Sequence, residues 1–95
     1  MSEIKQILET AEAGVFVSLN ELTKQNVKIG KTRTSVSLEP QVWTILNEVA
    51  EENGYTVNEL CSFIADRKTD SSSLSSAIRV FLISYLNIQV KKRRS

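Results

Sequence analysis

The sequence predicts a mainly α-helical fold with one short strand, paired with the same strand of a second subunit. Three observations carry this. The stretch Thr32-Arg33-Thr34-Ser35-Val36-Ser37-Leu38-Glu39-Pro40 alternates Arg33, Ser35 and Ser37 with Thr34, Val36 and Leu38, which sets the two groups on opposite faces of a strand. No strand of matching pattern follows Pro40, so the expected partner is another copy of the chain. The last predicted helix is apolar on several sides, which asks for more than one cover.

Taken in order, residues 3–12 carry Ile4, Ile7, Leu8 and Ala11 at helical spacing, with Ser2 as cap and Gly14 as stop. Val15-Phe16-Val17-Ser18-Leu19 fits either a strand or the continuation of one long helix; a short helix followed by an irregular connection is preferred. Val27-Lys28-Ile29 alternates and prepends a few extended residues to the ribbon, with Gly30 as a bend or bulge. The strand spans about residues 32–38.

Pro40 then opens a helix, since proline suits the first helical position. Trp43, Leu46 and Ala50 form its apolar stripe, widened by Val42, Ile45 and Val49, and Gly54 ends it. Thr56-Val57-Asn58-Glu59 is a capping box, after which Val57, Leu60, Cys61 and Ile64 share one face. Lys68-Thr69-Asp70-Ser71-Ser72 reads as a polar loop. The last helix runs from near Ser73 to about Gln89, with Leu74, Ala77, Ile78, Phe81, Leu82 and Tyr85 in one stripe and Val80, Ile83, Leu86 and Ile88 around the rest. Three regions follow: residues 1–30 of unknown role, a domain over 31–90, and a frayed basic tail over 91–95.

Composition narrows the function. A chain of 95 residues is a single small domain for which oligomerisation completes the core. The net charge is only +1, so overall basicity argues for nothing. Distribution says more: between Leu22 and Leu38 stand Lys24, Lys28, Lys31 and Arg33 and no acid. Cys61 is the lone cysteine, which rules out an intrachain disulfide and fits a reducing, cytoplasmic setting. It sits on an apolar stripe as a small core residue. No apolar run approaches the ~20 residues of a membrane span. With no histidine, no nucleophile pair, no glycine-rich phosphate loop and no ligand-spaced carboxylates, neither an enzyme nor a cofactor or metal site is expected.

Residues 31–86 resemble the ribbon-helix-helix family of bacterial transcriptional repressors, in the variant whose second helix is interrupted by polar residues. The matching elements are Arg33-Thr34-Ser35-Val36-Ser37-Leu38-Glu39-Pro40, then Trp43 and Leu46, then Ala50-Glu51-Glu52-Asn53-Gly54, then Leu74-Ser75-Ser76-Ala77-Ile78-Arg79. The resemblance implies a homodimer whose two strands pair antiparallel and lie as a ribbon in the major groove of double-stranded DNA. It makes Arg33, Ser35 and Ser37 the base readers. Lys31, Thr56, Val57 and Asn58 become phosphate contacts, with Ser71-Ser72-Ser73 as the alternative clamp. Val36, Leu38, Trp43, Ile78, Phe81 and Leu82 become the dimer core. The competing reading is a dimeric interaction module, or an antitoxin-like protein, that binds a protein partner through residues 1–30 or its acidic helix.

Overall fold

The strand over 32–38 has its partner within the same chain. The computed structural model describes residues 21–69 and 71–94; the expected helix over 3–12 and the ambiguous segment after it lie outside them. The described elements are strands β1 (Thr23–Ile29) and β2 (Thr32–Leu38), then helices α1 (Pro40–Glu52), α2 (Val57–Arg67) and α3 (Leu74–Arg94). β1 and β2 form an antiparallel hairpin in the register Thr23↔Leu38 to Ile29↔Thr32. The expectation of a strand without an intrachain partner is therefore corrected, as is the reading of Gly30 as a bend or bulge.

Gly30 and Lys31 form a two-residue hairpin turn. Gly30 has φ +60° and no non-glycine residue has positive φ among those described, the pattern of a type II′ turn with glycine first. That turn matches the twist of the flanking strands. β1 escapes the alternation test because only Val27 and Ile29 are apolar on its inner face, beside Thr23 and Gln25. Val27 alone of those four is fully buried.

The inner face of the hairpin sits on the helices. Val27, Val36 and Leu38 join Trp43, Leu46, Val49, Ala50, Leu60, Cys61, Ile64, Ile78 and Leu82 in one core. Trp43 also donates its indole N–H to the carbonyl of Thr23 at 2.8 Å, tying the start of β1 to α1. A buried indole is both large and polar at one end, and this contact satisfies both properties.

The helix boundaries follow local chemistry. Pro40 occupies the first turn of α1. At its other end Gly54, φ +73°, donates to Glu51 O while Tyr55 N–H reaches Ala50 O, the paired bonds of a Schellman stop. The capping box of α2 is formed as expected: Glu59 N–H donates to Thr56 Oγ1 and Thr56 N–H to Glu59 Oε1. Ser73 Oγ accepts Ser76 N–H and caps α3. α3 spans 21 residues, roughly 31 Å, and remains helical through Arg94, so the tail expected to fray continues the helix.

Tyr85 fixes the far end of α3 by donating to Glu52 and accepting from Asn53. Of the residues expected in a dimer core, Val36, Leu38, Trp43, Ile78 and Leu82 are already buried within one chain, and Phe81 is partly buried edge-on to Phe63. What α3 leaves uncovered is different: Val80 at 62% and Ile83 at 67% exposure, with Leu86, Ile88 and Val90.

Candidate nucleic-acid interface

Cross-strand neighbours share a face, so the register fixes what the hairpin shows to solvent. Arg33, Ser35 and Ser37 stand opposite Lys28, Asn26 and Lys24 respectively. The outward face is thus six polar residues, three of them cations and none acidic. All are exposed except Ser37, which is half-buried. Lys31 adds a further exposed cation at the turn. Sequence reasoning found Arg33, Ser35 and Ser37 but missed Lys24, Asn26 and Lys28 as their companions. The available signal was the Gly30-Lys31 dipeptide flanked by two extended stretches.

The two edges of the hairpin differ. In an antiparallel ladder alternate residues turn both main-chain groups away from the partner strand. On β1 one such residue is Lys28, whose N–H donates to Asn58 Oδ1 at 3.0 Å and whose carbonyl accepts from Ser62 Oγ at 3.4 Å. α2 therefore occupies the β1 edge at Lys28, while Lys24 and Asn26 have no main-chain partner on that edge among the described residues. On β2 the outward residues are Arg33, Ser35 and Ser37. Ser75 Oγ donates to the Ser37 carbonyl at 3.2 Å, while Arg33 and Ser35 have no main-chain partner on that edge among the described residues.

The first turn of α2 is more committed than its sequence implied. Thr56 and Glu59 satisfy each other, and Asn58 spends its side-chain oxygen on Lys28. Only the main-chain N–H groups of Val57 and Asn58 remain as first-turn donors. The cleft beside them is lined by Lys28 and Arg67 but also by Glu59 and Asp66, so its charge is mixed. The Thr56 main chain and hydroxyl hold the Glu59 carboxyl below its ordinary range, which keeps a negative charge at this turn. Ser73 is likewise occupied with Ser76. The ribbon face has no such competing acid.

At the junction of β2 and α1, Arg79 reaches Glu39 Oε1 through Nε at 3.0 Å and Nη2 at 2.7 Å. The Glu39 carboxyl is pulled down by its own main-chain N–H first and by Arg79 second. This pair fixes the start of α3 against the end of the ribbon. Cys61 is fully buried and its thiol is pushed up to about 11 by desolvation, which suits a core residue rather than a nucleophile. No group of side chains suited to a metal ion occurs among the described residues, and no helix there is long and apolar enough to cross a membrane.

A ribbon-helix-helix domain model matches residues 22–86, both strands included. The chain belongs to the ribbon-helix-helix family. A solved structure with a similar fold is that of an uncharacterized protein from Bordetella pertussis Tohama I, at a TM-score of 0.66 and 25% identity. That match covers 77% of this chain and 62% of the other, so the chain spans less than two thirds of that protein's length. No curated protein matches. Ribbon-helix-helix proteins are DNA-binding regulators rather than enzymes, and they bind DNA as dimers.

Proposed function

We propose that this chain is a homodimeric, sequence-specific DNA-binding protein acting as a transcriptional repressor. The observation that carries the reading is the outward ribbon face, with three cations, three small hydrogen-bonding side chains and no acid. The main-chain groups of Arg33 and Ser35 on the open β2 edge offer a second copy a place to pair. Antiparallel pairing about Thr34 sets Arg33 opposite Ser35 of the partner subunit, which satisfies the open groups of both strands and keeps like charges from standing directly opposite. The uncovered apolar side chains of α3 supply further area for the same association. The central β2 pair then enters the major groove, which admits a two-stranded ribbon.

In this arrangement Arg33 grips guanine in a bidentate manner, while Ser35 and Ser37 read more weakly. Lys31 and the α2 first-turn amides of Val57 and Asn58 meet phosphates. Competition binding of the full chain to selected and random duplexes at two salt concentrations tests the reading. Arg33→Ala is expected to lose ~1–3 kcal/mol per base contact and to relax preference at one position of each half-site. Ser35→Ala and Ser37→Ala lose less. Lys31→Ala weakens all sequences alike and flattens the salt slope by about one per lost contact. A wild type that shows no preference over random DNA, or a folded monomer by light scattering, would favour the protein-interaction reading instead.

A further inference from the structure

We infer that β1 is a phosphate-binding rail: Lys24 and Lys28 hold the DNA backbones flanking the groove, and β2 alone reads bases. The inference rests on the β2-paired, DNA-binding dimer proposed above. It starts from the width of the sheet that this dimer makes. Asn58 and Ser62 occupy the β1 edge at Lys28 and Ser75 the β2 edge at Ser37. Pairing through Arg33 and Ser35 of β2 gives a four-stranded sheet with a β1 strand on each outer side.

Dimensions then divide the labour. Neighbouring strands lie about 4.8 Å apart, so the two outer strands are separated by roughly 14 Å before any side chain is counted. The major groove is only about 12 Å wide. The central pair enters and the outer pair stops at the lips, where the phosphates are. The exposed side chains of Lys24 and Lys28 project from the same face as Ser37 and Arg33. Neither lysine is ion-paired among the described residues. The residue types agree with the placement: lysine is a long, compact point charge suited to phosphate, while the arginine fork on the inner strand matches guanine. Asn26 lies between the lysines and is too short to reach either a phosphate or a base from the outer strand.

The experiment compares the wild type with Lys24→Ala, Lys28→Ala, the double variant, Arg33→Ala and Asn26→Ala in the full chain. Affinity for a selected duplex and a random duplex is measured over a salt series, with light scattering for assembly and phosphate-ethylation interference on the selected duplex. Each lysine substitution removes two contacts per dimer, so the slope of log affinity against log salt should fall by about 1.8, and by about 3.6 for the double variant. The selected-to-random ratio should stay constant, and the double variant should lose part of the flanking phosphate interference, keeping that of Lys31 and the α2 amides. Arg33→Ala should show the converse, a changed ratio with the flanking interference kept, and Asn26→Ala should resemble wild type. A dimeric double variant with an unchanged slope, an unchanged interference pattern or an altered base preference overturns the rail while leaving the DNA-binding reading in place. A wild type that binds no duplex overturns both.

Discussion

Asn58, at the start of α2, accepts the main-chain N–H of Lys28 in β1 at 3.0 Å. One side chain thereby ties the start of α2 to the edge of β1. A two-stranded sheet has two exposed edges, each a template for another strand. Asn58 and Ser62 occupy one of them at Lys28, and Ser75 occupies the other at Ser37.

Asn58→Ala should free the Lys28 amide and open the β1 edge. Loss of one largely exposed hydrogen bond is expected to lower stability by ~1 kcal/mol, read as a shift of the urea midpoint. Hydrogen exchange should show faster exchange at Lys28 than at Val27. Equal protection at Lys28 in variant and wild type would mean that the edge is closed by something else.

Gly30→Ala tests the turn. A Cβ at Gly30 meets no atom within 4 Å, so any cost is that of a positive φ in an L-residue, ~1–2 kcal/mol. Gly30→Asn should cost less, because asparagine tolerates this region better. An alanine variant as stable as wild type would show that the turn relaxes to another type.

Acid should weaken the fold through two carboxyls. Glu39 and Glu59 are both held below the ordinary range of a glutamate. A lowered pKa contributes stability that is present above the unfolded value and is lost as pH falls through the folded value. Stability should therefore be level from neutral pH to about 5 and decline below it. Thr56→Ala should remove the cap, at ~1 kcal/mol, and flatten the acid limb only in part, since the Thr56 main-chain N–H, the larger cause for Glu59, is kept. Arg79→Met should flatten it only in part, since the Glu39 main-chain N–H is the larger cause. Acid limbs of identical shape in all three proteins would contradict the assignment.

Cys61 should report on opening of the core. It is fully buried, with its thiol pushed up to about 11, so alkylation at pH 8 should proceed only through unfolding. Leu38→Asp, which places a charge at a fully buried position, should raise the rate to that of the unfolded chain. Labelling of the native wild type as fast as in denaturant would show that Cys61 is accessible.

The sequence by itself determined the three described helices, the stop at Gly54, the start at Thr56 and the alternation of β2. Trp43, Leu46 and Ala50 repeat at helical spacing, Thr56 with Glu59 marks a start, and Gly54 marks a stop; each is a local signal that acts within a few residues. The same locality made Arg33, Ser35 and Ser37 visible as one polar face. Only the tertiary structure decided that β2 has an intrachain partner. β1 offers too few apolar residues for a period to show. Its place is set by distant groups: Trp43 at Thr23, and Asn58 and Ser62 at Lys28. Those contacts join residues twenty or more positions apart, and the one local trace of the pairing is the two-residue turn at Gly30-Lys31. Lys24, Asn26 and Lys28 consequently became neighbours of the expected readers only through folding. The helix α2 start was legible as a cap, but its commitment to the β1 edge depended on where the hairpin docks.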